Sequence, residues 1–203
     1  MVWSFSWDPL GSSFPEAEIL DGHTGRLELV DDTPDGGVAL RGGSTAFSGR
    51  RAKSETVPKK IKWQSRQKIG DFCGSHVCTI SERLRLLIEK IEPEVHQFEP
   101  VEFVAKDGLH LENRWFWQIC NRIDSVNREK TKMILKDGLI WAADFTLPKE
   151  ERTPMIFDPN QIGGVKIWHD KHVGAGSFCT NEVREKLDAA KMTGFHFRHF
   201  EMV

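Results

Sequence analysis

Residues 79–104 read TISERLRLLIEKIEPEVHQFEPVEFV, and within them a helical spacing of apolar residues gives way to an extended run. Thr79-Ile80-Ser81-Glu82 matches a capping box, in which a hydroxyl and a carboxylate satisfy free backbone N–H groups at the start of a helix. The apolar residues that recur at helical spacing are Ile80, Leu84, Leu87, Ile88 and Ile91. Because Pro93 stops a helix, we predict a helix over about 80–91, followed by an extended run over 97–105.

Two Asp-Gly pairs predict hairpins, because this dipeptide supports the positive φ angles of tight β-turns. Asp107-Gly108 joins the extended run to a returning strand that carries Leu111, Trp115 and Trp117. Asp137-Gly138 joins residues 133–135 to residues 139–145. Residues 165–168 are a further candidate for a short strand.

A second helix is predicted over about 181–191, with Thr180 as its N-cap. Val183, Leu187 and Ala190 form its apolar stripe, and Gly194 is expected to end it. The alternating residues 195–203 then predict a final strand.

The two helical regions echo each other at a shift of 99 residues, which places Ser81 on Thr180 and Phe98 on Phe197. A duplicated unit and a chance likeness both explain this echo. In either case, many strands with few helices predict an α+β fold, in which two principal helices pack on a mainly antiparallel sheet built from hairpins.

The first part of the chain differs from the rest in its many turn formers. Residues 1–58 are expected to form a turn-rich segment with short strands, possibly part of the same domain as the α+β region of residues 59–203. Within the boundary region, residues 60–64 alternate as an edge strand would.

Charge is unevenly distributed, although the net charge is only -2. Residues 1–40 hold eight acids against Arg26, whereas residues 41–70 hold nine bases against Glu55. Two interpretations stay open: solvated segments that attract each other, or a nucleic-acid-binding face formed by the basic residues 50–68. Because the net charge is slightly negative and nucleic-acid-binding proteins usually carry a basic excess, nucleic acid is the less expected partner.

The chain shows no apolar stretch of about 18 residues, the length that a membrane span needs. Residues 1–8 lack the basic and apolar regions of a signal peptide. We therefore expect a cytoplasmic protein without a membrane partner, and with reduced cysteines. The cysteines are Cys73, Cys78, Cys120 and Cys179.

Metal-ligating residue types occur, but their spacing fits no known ligand set. The candidate groups are Cys73 with His76 and Cys78, His169 with His172, and His196 with His199. Zinc needs three or four converging ligands. Since residues three apart in a strand point to opposite faces, His196 and His199 do not converge. We expect neither a metal nor a cofactor.

Motifs for catalysis are also missing from the sequence. There is no G-x-S-x-G elbow, and Gly163-Gly164 and Gly174-Ala175-Gly176 match no phosphate-binding loop. A Cys–His pair is possible in principle, although a free cysteine is more often a small core residue. We therefore predict no catalytic residues, and a binding protein in preference to an enzyme.

One aromatic motif suits either a core or a contact surface. In a strand, Trp115 and Trp117 face one side and Phe116 the other. A buried core is the expected arrangement. An exposed aromatic face would instead be a binding anchor, because tryptophan is enriched among the residues that dominate interface energies.

Several short motifs recur in a characteristic order and spacing over residues 70–203. They are Gly70-Asp71-Phe72, residues 79–87, residues 97–102, residues 123–130, Ile156-Phe157, Ile167-Trp168-His169-Asp170 and residues 192–197. In this order they resemble the bacterial polymorphic-toxin immunity protein family eleven, formerly a domain of unknown function. A weaker likeness begins at about residue 25.

The resemblance implies an immunity protein, or antitoxin, that binds a cognate secreted toxin and blocks its active site. It carries over no catalytic residues, and it does not identify the residues that contact the toxin. Two alternatives remain, an enzyme that reverses the toxin's modification and a nucleic-acid-binding module that uses residues 50–68.

Overall fold

The computed structural model describes residues 1–8, 16–21, 26–40, 42–74, 77–148 and 155–203. The strands are β1 (Val2–Trp7), β2 (Ala17–Ile19), β3 (Lys60–Trp63), β4 (Phe72–Cys73), β5 (Thr79–Ile80), β6 (Gln97–Val104), β7 (His110–Gln118), β8 (Arg122–Ile123), β9 (Ile134–Lys136), β10 (Ile140–Ala142), β11 (Ile167–Asp170), β12 (Ser177–Thr180) and β13 (Phe195–Phe200). The α-helices are α1 (Glu82–Ile91), α2 (Pro159–Ile162) and α3 (Asn181–Ala189). Gly42–Phe47 and Ser54–Thr56 form 3-10 helices. The predicted α+β class is confirmed.

The first predicted helix forms, but its cap lies two residues later than the sequence predicts. Ser81 is the N-cap of α1, and its side chain accepts a hydrogen bond from the backbone N–H of Leu84. Thr79 belongs instead to β5, where it pairs with Phe116. The predicted capping box was therefore wrong, because sheet pairing claims Thr79.

The second predicted helix also forms, with Thr180 at its N-cap. It ends at Ala189, with Ala190 as the C-cap, so the prediction that Gly194 ends it was wrong. At Gly194 the backbone passes very close to the backbone of Phe72. Its φ is +87°, and a Cβ at this position would overlap the carbonyl oxygen of Phe72.

A six-stranded sheet has the order β2-β3-β6-β7-β5-β4. Its centre is the predicted β6–β7 hairpin, whose Gly108 has a φ of +86°. The second predicted hairpin is confirmed as β9 and β10, with positive φ at Asp137 and Gly138. The strand β3 lies between β2 and β6, so the predicted edge position was wrong.

A five-stranded sheet has the order β13-β1-β12-β11-β8. The first strand of the chain, β1, lies inside this sheet and pairs antiparallel with both β12 and β13. Most pairings in the two sheets are antiparallel. The pairs β3–β6 and β8–β11 are parallel, so the sheets are mixed.

The 99-residue echo coincides with two units of the same topology. In each unit, a short strand leads into a helix and then into a longer strand, as β5-α1-β6 and as β12-α3-β13. In each, a third strand, β7 or β1, lies between the two and runs antiparallel to both. Each helix therefore crosses one intervening strand.

The described residues form three apolar core clusters, and β7 contributes to two of them. Trp117 is buried in the cluster that α1 and α3 cover, and Trp115 packs against this cluster from its edge. Phe116 is buried in a second cluster with Val101 and Phe103. This arrangement confirms that the tryptophans face one side of the strand and Phe116 the other.

Candidate functional site

The basic residues of the 50–68 stretch are largely engaged in ion pairs. Four ion pairs join the stretch to the acidic residues 1–40, and two join it to β6. The pairs are Arg50 with Asp31 and Asp35, Lys53 with Glu28, Lys62 with Glu18, Lys59 with Glu99, and Lys60 with Glu102. The interpretation as segments that attract each other is therefore the one that the geometry favours. Arg41 lies outside the described residues.

Asp35 illustrates how strongly these charges are held. Burial would raise its pKa, but hydrogen bonds from the Arg122 side chain and the Gly37 backbone, with the charges of Arg122 and Arg50, lower it to about 2. The Arg122 Nε lies 2.6 Å from Asp35 Oδ2. Asp35 thus stays ionised at neutral pH and ties the acidic segment to the start of β8.

A buried carboxylate, Glu92, joins the end of α1 to the five-stranded sheet. Its Oε1 accepts from the Lys166 backbone at 2.8 Å and from Asn121 Nδ2 at 3.3 Å. Its Oε2 accepts from the Ile167 backbone at 3.0 Å and faces His96 Nε2 at 3.0 Å. Because His96 Nδ1 accepts from the Cys120 backbone, Nε2 carries the proton and donates to Glu92. This Glu–His pair links the two sheets, and both of its side chains are buried.

The other buried histidine and acid side chains also bind backbone groups. His169 donates from Nδ1 to the Gly176 carbonyl at 2.9 Å, and burial lowers its pKa to about 4. Asp170 accepts from the Ser125 hydroxyl at 2.7 Å and from the His172 backbone at 2.8 Å. His172 donates from Nδ1 to the Leu139 carbonyl at 3.0 Å. Ser125 therefore lacks an imidazole base in this arrangement.

Three of the four thiols are held in their protonated form. Burial raises the pKa of Cys78 and of Cys179 to about 12, and that of Cys120 to about 11. A nucleophilic cysteine needs the opposite shift, toward the thiolate. Cys120 lies beside His96, but its backbone, not its sulfur, makes the contact.

The candidate metal ligands do not come together in the described part of the chain, where no three His, Cys, Asp or Glu side chains form a metal-binding group. His76 lies outside the described residues. His169 and His172 bind different carbonyls, as given above, and His199 packs edge-on against Trp3. No helix among the described residues is long and apolar enough to cross a bilayer.

The accessible part of the aromatic motif lies in a groove, which we call the Trp115 groove. Its volume is about 790 Å³. The half-buried rings of Phe98 and Trp115 form its floor, α1 contributes one wall with Arg85 and Glu89, and the opposite wall comes from Val30 and residues 51–55. Trp115 was singled out from the sequence; Phe98 and Glu89 were not.

The alternation of side chains along residues 97–104 could have predicted the position of Phe98. Phe98 points to the side of the sheet opposite that of Val101 and Phe103, because it is an odd number of residues from each. Val101 and Phe103 are buried in the second cluster, whereas Phe98 packs beside α1 and remains half exposed. The walls of the groove come from distant parts of the chain and carry no local signal.

A second accessible feature is the β9–β10 hairpin with the residues that follow it. Phe145 is 77% exposed, and Ile134, Leu139 and Ile140 are between 38% and 47% exposed. The hairpin is attached to the body by the His172 contact to Leu139 and by a hydrogen bond from the Trp141 backbone to the His172 carbonyl. Exposed apolar side chains gathered on one element are typical of contact surfaces.

The structure is an α+β fold whose buried acidic and histidine side chains bind backbone groups of the scaffold. The chain belongs to the Immunity protein family (Imm11), because the model of that family matches residues 24–202. The resemblance found in the sequence is thereby confirmed, including its weaker part from about residue 25. No curated protein matches the chain.

Proposed function

We propose that this protein is an immunity protein that binds a cognate secreted bacterial toxin and neutralises it by covering the toxin's active site. The observation that carries the proposal is the family match over residues 24–202. The bacterium that makes the toxin would be protected in its cytoplasm, as part of a polymorphic toxin system. Neutralisation by occlusion requires only binding, which agrees with a scaffold whose buried acids and histidines bind backbone groups.

The Trp115 groove supports this proposal as the central part of a contact surface. Tight complexes bury roughly 1,600 Å² in total, with a few anchors in the middle of the patch. Trp115 and Phe98 are suited to that anchoring role, because they are rigid, half exposed and already packed against the core. The charged residues around them would form the polar rim of the interface.

The test is co-expression with the product of the neighbouring gene. We expect that the toxin alone stops growth, that this protein restores growth, and that the two co-purify. A toxin of unrelated sequence is the control, and growth should still stop when it is paired with this protein. If the two proteins fail to co-purify and growth is not restored, the proposal is wrong.

The same experiment separates the two alternatives. An enzyme that reverses the toxin's modification would restore growth without a stable complex. A nucleic-acid-binding module would show a mobility shift that weakens steeply with salt. Because most bases of residues 50–68 are paired with acids, we expect no such shift.

A further inference from the structure

We propose that the Trp115 groove receives a basic side chain, an arginine or a lysine, from a segment of the toxin. This inference rests on the proposed function and adds the chemistry of the partner. It is argued from the rigidity of the groove, from its unpaired charges and from its aromatic floor.

The walls of the groove are fixed to the sheet by side-chain hydrogen bonds. The Gln97 amide mimics a strand pairing with Ala52, since it accepts from the Ala52 backbone N–H at 2.8 Å and donates to its carbonyl at 2.9 Å. Glu99 accepts from the Ser54 hydroxyl at 2.6 Å. Residues 52–54 are thus held in place, so that little ordering cost is left for the moment of binding.

The charges that line the groove leave an excess of carboxylates. Lys53 pairs with Glu28, Arg85 pairs with Glu82, and Glu99 pairs with Lys59. Among the residues that the structure describes, no salt bridge engages Glu55, Glu89 or Glu94. Glu89 and Glu55 act on Arg85 and Lys53 only as further charges, after the hydrogen-bonded partners Glu82 and Glu28. The remaining positive charge in the groove is that of Arg51, whose guanidinium donates to the backbone carbonyls of Glu94 and Val95. The remaining charge therefore favours a cation.

Two of these acidic residues, Glu89 and Glu94, are linked by a hydrogen bond. The Glu94 residue has a φ of +60°, and its backbone N–H donates to Glu89 Oε1 at 2.9 Å. This turn places Glu94 directly after the helix that carries Glu89. Both residues line the groove, so a cationic group bound there would lie near two acidic residues.

The floor of the groove is suited to the apolar part of a basic side chain. The Arg85 guanidinium stacks over the Trp115 ring at 4.5 Å from its centroid, held by two hydrogen bonds to Glu82 of 2.8 Å each. Phe98 lies beside it with part of its ring exposed. Lysine and arginine have an apolar stem and a charged head, so the stem can rest on Phe98 while the head meets Glu89 and Glu94.

The test uses the intact protein and the toxin encoded by the neighbouring gene. The double variant Glu89→Gln, Glu94→Gln removes two charges and keeps the acceptor for the Glu94 backbone. The matched control is the double variant Glu129→Gln, Glu185→Gln, which removes two charges from exposed positions outside the groove. Association and dissociation rates are measured between low and high salt, and urea unfolding confirms that all variants are folded.

We expect the double variant to associate about 10-fold more slowly at low salt and to lose most of the salt dependence of the wild type. The control should match the wild type. If the double variant binds the toxin with unchanged rates and unchanged salt dependence, the inference is overturned while the proposed function stands.

A second probe keeps the inference testable even where the toxin does not bind. The peptide acetyl-Gly-Arg-Gly-amide is titrated into the protein and followed by backbone amide NMR, with citrulline in place of arginine as the control. We expect shifts at Glu89, Glu94 and Phe98 with the arginine peptide alone. Shifts elsewhere, equal shifts with citrulline or no shifts would each overturn the inference.

Discussion

Replacing Glu92 with alanine is expected to destabilise the protein severely, because this carboxylate joins its two sheets. It accepts from four donors, namely the backbone N–H groups of Lys166 and Ile167 and the side chains of Asn121 and His96. Ile167 is fully buried, and the His96 side chain is fully buried as well. Neither donor can turn to water when the carboxylate is removed.

The magnitude follows from those two donors. A buried donor that is left without an acceptor costs about 1–3 kcal/mol, and bonds to charged groups lie at the upper end. Glu92→Ala should therefore lower the free energy of unfolding by about 4 kcal/mol. For a chain of this size, this corresponds to a loss of roughly 8–16 °C in Tm. Glu92→Gln should lower the free energy of unfolding by a smaller amount, because one acceptor oxygen remains. Some loss is still expected, because the amide NH2 group faces two donors from which it cannot accept a hydrogen bond.

The assay is urea unfolding followed by near-UV circular dichroism, with Glu185→Gln as the control that should match the wild type. The m-value should stay constant, since the change acts on the folded state. A loss below about 1 kcal/mol for Glu92→Ala would show that water or a rearranged side chain replaces the carboxylate, and would refute this account of how the sheets are joined.

Three further predictions concern the segments and groups described above. We propose that residues 1–58 fold as part of one domain with the rest. Phe5 is buried and packs against Trp117. The substitution Phe5→Ala should therefore lower the free energy of unfolding, measured in urea, by about 3–5 kcal/mol, and a negligible loss would contradict the proposal. Because the folded pKa of Asp35 is about 2 against 3.8 unfolded, its stabilisation is present above pH 4 and is lost between roughly pH 4 and pH 2. Urea unfolding across that range should show a smaller loss for Asp35→Asn, and an identical loss would contradict the assignment. The thiols of buried Cys179 and of half-buried Cys78 and Cys120 should react slowly with DTNB at pH 8 until the protein unfolds, whereas rapid labelling of the native protein would contradict their raised pKa values.

Local sequence patterns correctly predicted the turns and helices, because these are stabilised by contacts between residues that are close in sequence. The Asp-Gly turns and the apolar spacing of α1 and α3 identify structures that close over a few residues, and these predictions are confirmed. The capping box at Thr79 failed because a pairing with Phe116, far along the chain, outcompetes a local cap. Gly194 was misread for a similar reason, since its constraint comes from Phe72.

The interior position of β1 and the walls of the groove were beyond local patterns. The residues Val2–Trp7 alternate as a strand does, but their place between β12 and β13 depends on residues about 175 positions away, as the Trp3 to Cys179 pairing shows. The groove likewise joins Val30 and residues 51–55 to α1 and β7. Trp115 could be recognised as a candidate anchor, whereas the carboxylates around it are ordinary surface residues until the fold brings them together.

The most direct test of the central claim is a titration of the purified toxin's activity with this protein. Toxin neutralisation by occlusion predicts that activity falls linearly with added protein and reaches zero at about one equivalent, without change to either chain's mass. Complete inhibition by a small fraction of an equivalent would indicate catalysis, and no inhibition at any ratio would contradict the account.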